Sequence, residues 1–146
     1  MKKLALSLMC LLILSVSAIH AGNQKPIPTS QLPAAAQQFI KQHFADRKVA
    51  LAKVETEFVS KSYEVVFNDG DNIDFDNKGN WEEVDCKSSS VPAAVIPAQI
   101  MKYIRENYPD TTVKEIKKDH REYEVKLSNR IELSFDLKFN LIDIEM

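Results

Sequence analysis

Three observations predict an α+β fold built as a tandem repeat, each copy one helix followed by a four-stranded antiparallel sheet. The first is internal similarity. Leu32-Pro33-Ala34, Phe39-Ile40-Lys41, Phe44 and Asp46 recur at an offset of 64 as Ile96-Pro97-Ala98, Tyr103-Ile104-Arg105, Tyr108 and Asp110. After a short deletion the match resumes at an offset of 60, with Tyr63-Glu64-Val65 against Tyr123-Glu124-Val125, Phe75-Asp76 against Phe135-Asp136, and Lys78 against Lys138. A period of this length marks a supersecondary unit that cannot cover its own apolar face and shares a core with its copy. The second is a switch of apolar period, in each copy, from about 3.6 to 2. The third is a set of turn formers at the strand breaks, Asn68-Asp69-Gly70, Asn77-Lys78-Gly79 and Ser128-Asn129-Arg130.

Along the chain, Met1-Lys2-Lys3, an apolar run from Leu4 to Ile19 and small residues at Ala18 and Ala21 predict a signal peptide over 1–21. The run is shorter than the ~20 residues a membrane span needs, so no stable membrane insertion is expected after cleavage. Cys10 sits inside that run behind Ser7-Leu8-Met9, which does not suit a lipid-attachment site. Residues 22–30 read as an extended lead-in, because Pro26 and Pro28 oppose helix.

The first repeat spans 31–86. Ser30 is placed to cap its helix, Pro33 is tolerated in the first turn, and Leu32, Ala36, Phe39, Ile40, His43 and Phe44 form one stripe. Strands follow at roughly 49–59, 62–68, 72–76 and 81–86, where Tyr63, Val65 and Phe67 alternate with Glu64, Val66 and Asn68. Residues 87–92 are a polar linker. The second repeat, 93–146, has its helix stripe at Ile96, Ile100, Tyr103, Ile104 and Tyr108, stopped by Pro109, and strands at 113–120, 122–128, 131–136 and 141–145. Two sheets joined by so short a linker should abut, with both helices on one face and the opposite face wet.

Composition narrows the function classes. Without the two leader lysines, the 19 basic residues fall to 17 against 21 acidic ones, and they are interspersed rather than clustered. Counterion-release binding to nucleic acid therefore has no basis. Cys86 is the only thiol outside the leader, so no internal disulfide is expected and burial is the simpler fate for it.

Candidate chemistry is sparse. The run Asp74-x-Asp76-x-Lys78-Gly79, with Asp85 eleven residues after Asp74, imitates a calcium loop, but Lys78 puts a cation at a ligand position and the flanking helices are missing. Strand alternation and turn chemistry explain the same aspartates, so no metal or other cofactor is expected. Cys86 with His43 or His120 could suggest a small hydrolase or ligand-handling protein, but no orienting third group is evident. There is no Gly-rich phosphate loop, Cys-x-x-Cys pair or His-x-x-x-His pair. No catalytic residue is assigned, and the chain is not expected to be an enzyme.

The ordered series Leu32-Pro33-Ala34, the Tyr-Glu-Val strands, the hairpin from Phe75 to Cys86, then Val95-Ile96-Pro97-Ala98 and Tyr108-Pro109-Asp110 resembles the PepSY-like family of beta-lactamase-inhibitor-like proteins, exported proteins known chiefly from Bacteroidetes. The resemblance covers nearly all of the chain after the leader. It implies a tandem helix-plus-four-strand fold like that of the secreted beta-lactamase inhibitor, and a periplasmic or secreted location. One departure stands out: Gly79 is matched by Phe139, so the last hairpin of the second copy is expected to be wider or irregular.

The expected function is binding of an exported protein or peptide, inhibitory binding included, through the sheet face opposite the helices. Outward positions Glu64, Val66, Asp74, Glu124, Lys126, Glu132 and Ser134 are the candidate contacts. Trp81 joins them as a candidate hot spot, although Leu141 in the second copy argues for packing against the helix. An envelope component that self-associates is the remaining alternative.

Overall fold

The computed structural model describes residues 23–146, so the signal peptide inferred over 1–21 lies outside them. The order is β1 (Asn23–Ile27), α1 (Ala34–His43), β2 (Val49–Glu57), β3 (Ser60–Phe67), β4 (Asn72–Phe75), β5 (Trp81–Asp85), α2 (Ala98–Asn107), β6 (Val113–Lys118), β7 (Glu122–Leu127), β8 (Glu132–Asp136) and β9 (Leu141–Glu145). Each copy is thus one helix and four strands, and the class is α+β.

The two sheets do more than abut. β5 and β6 pair through Glu83 with Lys117, Val84 with Ile116 and Asp85 with Glu115, and all nine strands form one antiparallel sheet in chain order. The ninth strand comes from the lead-in, whose backbone pairs with β2. Pro26 is compatible with that role because an edge strand leaves one row of backbone groups unpaired. The first long strand ends earlier than expected: Phe58 and Val59 make the β2–β3 turn, with Phe58 at φ 49, and both are fully exposed.

One row of side chains shows why the sheet is stable. Ile27, Ala52, Val65, Ile73, Val84, Ile116, Val125, Leu133 and Ile144 lie opposite one another across all nine strands, and the seven interior members are buried. Each large member contributes about 1.5–3 kcal/mol by leaving water. Both helices dock on this face by the same contact. Phe39 meets Phe75 edge-on at 5.8 Å, and Tyr103 meets Phe135 edge-on at 5.6 Å.

The helix starts differ from the sequence expectation. Proline occupies both N-cap positions, Pro33 and Pro97, and no side chain caps either helix. Ser30 falls in a 3₁₀ turn, Thr29–Gln31, too early to reach the first free N–H groups of α1. Instead its carbonyl and that of Leu32 accept hydrogen bonds from the Gln37 side chain, at 3.2 and 2.8 Å. Leu32 precedes the helix yet is buried.

The hairpin expected to be wider or irregular has one register shift, between Ser134 and Phe135, and it is the same shift that the first copy shows between Asp74 and Phe75. Asp76 Oδ1 accepts from the N–H groups of Lys78 and Asn80, and Asp136 Oδ1 accepts from those of Lys138 and Asn140. Phe139 adopts φ 67 where Gly79 has φ 86. The carboxylate bonds hold the turn, and packing of Phe139 on Tyr123 at 5.5 Å offsets the left-handed conformation.

The polar linker is anchored to the first copy. Asp71, almost wholly buried, accepts from Arg47 at 2.7 Å, from the Ser89 hydroxyl at 2.5 Å and from the Ser88 N–H at 2.8 Å. Burial alone would raise the pKa of this carboxyl; the Ser89, Ser88 and Arg47 donors outweigh it and hold the pKa below the usual value.

Candidate binding face

Strand alternation sends every second residue away from the helices, and the register aligns these residues into rows. The central row runs Lys53, Glu64, Asp74, Glu83, Lys117, Glu124, Ser134 and Asp143, one residue from each of β2 to β9. The next row runs Leu51, Val66, Asn72, Asp85, Glu115, Lys126, Glu132 and Glu145. Glu64, Val66, Asp74, Glu124, Lys126, Glu132 and Ser134 therefore share one face, the face without helices.

Trp81 is not among them. It lies opposite Phe75, an inward residue, beyond an irregularity between Asp74 and Phe75. Its ring is 6.4 Å from that of Phe39 and carries Lys118 Nζ 4.5 Å above it. It lines the groove on the helix side with Pro97, Met101 and Tyr123. An apolar ring after the turn gains more by packing on α1 than by facing water.

Several members of the face are not legible from strand alternation alone. Lys53 pairs with Glu64 at 2.5 Å, and Lys117 reaches Glu115 at 3.1 Å and Glu83 at 3.8 Å. The signal was present in the repeat: the offset of 64 that aligns the helices also aligns Lys53 with Lys117 and Leu51 with Glu115. Leu51, exposed beside Val66, makes the first end of the second row apolar.

Electrostatics grade this face. Burial, then the charges of Glu64 and Glu82, push the Asp74 carboxyl up to about 6, against the pull of Lys53. Burial likewise raises Glu83 and Glu124. Glu115 moves the other way: burial would raise it, but bonds from Lys117 and Lys126 win.

The residues considered for catalysis are dispersed. Cys86 is fully buried, and burial pushes its thiol pKa up, which disfavours the thiolate a nucleophile needs. Its polar neighbours are Asp71, Ser89 and Arg47. His43 packs on Phe39 at 4.8 Å within α1, and His120 is exposed in the β6–β7 turn. The calcium-like run is the β4–β5 hairpin, in which Asp76 is committed to the turn.

Among the described residues no helix is long and apolar enough to cross a membrane. No curated protein matches the chain. Three crystal structures of Bacteroides proteins are similar to it. One, from Bacteroides thetaiotaomicron, is a "putative calcium-regulated periplasmic protein", 64% identical, with TM-score 0.83, covering 84% of this chain and 97% of the other. The second, from Bacteroides vulgatus, is a "putative periplasmic protein" of the DUF2874 family, 54% identical, with TM-score 0.84, covering 86% and 99%. The third, also from Bacteroides vulgatus, is a "putative periplasmic protein of unknown function", 34% identical, with TM-score 0.79, covering 84% and 99%. Like these neighbours, the chain is a periplasmic or secreted protein. A family model described as "Putative beta-lactamase-inhibitor-like, PepSY-like" matches residues 19–59 and 61–143, and the chain belongs to that PepSY-like family.

Proposed function

We propose that this chain is a non-enzymatic exported binding protein whose open sheet face engages a protein or peptide partner. The observation that carries the reading is the continuous face itself. Two rows of eight aligned side chains cross β2 to β9 without a helix over them, and they mix charge with the apolar pair Leu51 and Val66. Pre-organised strands present such side chains at little entropic cost, which favours recognition. Burial of Cys86 and its raised thiol pKa weigh against the hydrolase alternative.

The test is capture of exported proteins from the source organism on the immobilised chain, then titration of any captured protein, once purified, against wild type and the Glu64→Gln, Lys126→Gln, Glu132→Gln triple variant. Tight binding by the wild type and weak binding by the folded variant support the reading. Equal binding by both places the interface elsewhere and overturns it.

Self-association is favoured by one specific observation, the edge strand β9, where Ile142 and Ile144 are exposed at 53% and 42%. Sedimentation at rising protein concentration would show dimers if that edge pairs. The calcium regulation attributed to the Bacteroides thetaiotaomicron protein supports a cation response of the acidic face as part of the same role.

A further inference from the structure

We propose that the seam between the two repeats is a calcium site, formed on the open face by Glu83 and Asp85 of β5 and Glu115 of β6. The inference rests on the cation response proposed for this face and is argued from the geometry of these residues, independently of the identity of a protein partner. Asp85 and Glu115 face each other across the seam, and Glu83 lies two residues along the same strand on the same side. One carboxylate oxygen from each of the three lies within 4.8 Å of the others. Oxygens that share one calcium ion are separated by at most about 5 Å, twice the usual Ca–O distance.

A second observation points to a ligand. Asp85 is 5% exposed, and among the described residues its Oδ1 is the buried side-chain oxygen without a hydrogen-bond partner. An acceptor left in this state loses its hydration without compensation, a cost that native interiors avoid. Glu115, at 9% exposure, is nearly as buried. Two enclosed carboxylates on a face that is otherwise wet call for a cation.

Lysines supply part of that charge. Lys87 meets the other oxygen of Asp85 at 3.1 Å, Lys117 meets Glu115 at 3.1 Å, and Lys126 meets Glu115 at 3.3 Å. Their side chains are 79%, 43% and 46% exposed, so each ammonium group can swing into solvent when a divalent ion takes its place. An all-oxygen donor set without histidine or thiol suits a hard cation rather than a transition metal. Three carboxylates with waters completing the shell, in competition with lysines, suit affinity of about 10⁻⁴–10⁻³ M, the range of extracellular calcium modules. Calcium entry would release Lys117 and Lys126 and change the charge pattern of the central rows.

Isothermal titration of the chelator-treated chain with calcium chloride, paired with thermal unfolding in the same buffers, tests the site. One ion per chain and a higher unfolding temperature are expected for the wild type. Asp85→Asn should weaken binding by roughly tenfold or more, and Glu83→Gln should also weaken it. Lys126→Gln should strengthen it, because a competing cation is gone. Should Asp85→Asn fail to fold, the half-buried Glu83 decides the matter. Absence of heat and of thermal stabilisation at about 10⁻² M calcium, well above the expected range, overturns the proposal. So does undiminished binding by Glu83→Gln, or binding abolished by Glu64→Gln with Asp74→Asn while Glu83→Gln and Asp85→Asn bind normally.

Discussion

In the first repeat the central row of the open face reads Lys53, Glu64, Asp74 and Glu83; in the second, the equivalent positions read Lys117, Glu124, Ser134 and Asp143. The backbones correspond down to their irregularities. β2 shifts register between Val49 and Leu51 as β6 does between Val113 and Glu115, and β4 shifts between Asp74 and Phe75 as β8 does between Ser134 and Phe135. Inward positions also agree in character, since Phe75 and Phe135 each receive an aromatic from the helix above. Outward positions diverge in part: Lys53 and Glu64 recur as Lys117 and Glu124, but Asp74, Leu51 and Val66 become Ser134, Glu115 and Lys126. The core constrains the inner face in both copies, whereas water tolerates exchange on the outer face, so the repeats differ where a partner or an ion would meet them.

The same contrast holds at two supporting points. Gly79 and Phe139 occupy equivalent turns, and at Gly79 an added Cβ would come within 2.8 Å of Ala36 N and Pro33 Cβ at the start of α1. Asp71 joins Arg47 to the linker in the first copy, and the matching residues in the second are Ile131 and Thr111.

These differences can be pressed experimentally. The largest effect is expected from Gly79→Ala, about 3 kcal/mol of destabilisation by chemical denaturation, combining the left-handed φ with the close approach. Phe139→Gly should stay within about 1 kcal/mol, because relief of φ offsets the lost Tyr123 contact. Equal losses at the two sites would remove the distinction between the turns.

Next comes Asp71→Asn, with a loss of about 2 kcal/mol from hydrogen bonds to a charged acceptor and an Arg47 left with its 3.4 Å ion pair to Asp69. The double change Asp71→Ile with Arg47→Thr, which imports the second copy's residues, should cost less than Asp71→Ile alone. Because Asp71 has a lowered pKa, its contribution is present above the unfolded value of about 3.9 and is lost as pH falls through the lower folded value. Denaturation midpoints followed from pH 6 downward should therefore show a steeper acid loss for wild type than for Asp71→Asn.

Asp74 gives the opposite sign. Its carboxyl, raised to about 6, favours the fold while protonated, so that advantage is complete below the unfolded value of about 3.9 and lost as pH rises through about 6. Asp74→Ser, the second copy's residue, should stabilise the chain by about 1 kcal/mol at pH 8, after allowance for solvent screening, and have little charge-related effect near pH 4. A benefit that is the same at both values would show that charge is not its source. The smallest effect belongs to the Glu64, Lys126 and Glu132 triple variant, whose stability should stay within about 1 kcal/mol because its ion pairs are partly solvated.

By itself the sequence determined the repeat, the helix-then-strands order and the inward and outward sets, because periods of 3.6 and 2 are written in consecutive residues. It also marked Cys86 as buried and Glu64, Asp74, Lys126 and Glu132 as facing away from the helices. For Trp81 it offered both the open face and packing on the helix; two residues of β5 step past one of β4 at the register shift, which turns Trp81 to the side of Phe75, and nothing local announces that shift. It suggested a wider or irregular hairpin at Phe139, where a register shift does occur, but not that the first copy shares the shift or that carboxylate and aromatic contacts let Phe139 stand where Gly79 does.

Tertiary structure alone decided that the copies fuse into one sheet through β5 and β6, that the lead-in becomes an edge strand, and that Glu83 and Asp85 meet Glu115. Those carboxylates are some thirty positions apart in the chain. Their meeting depends on the register of a long-range pairing, which is set by the fit of Val84 and Ile116 into the shared core, and hydrophobic burial is non-directional until both faces are assembled.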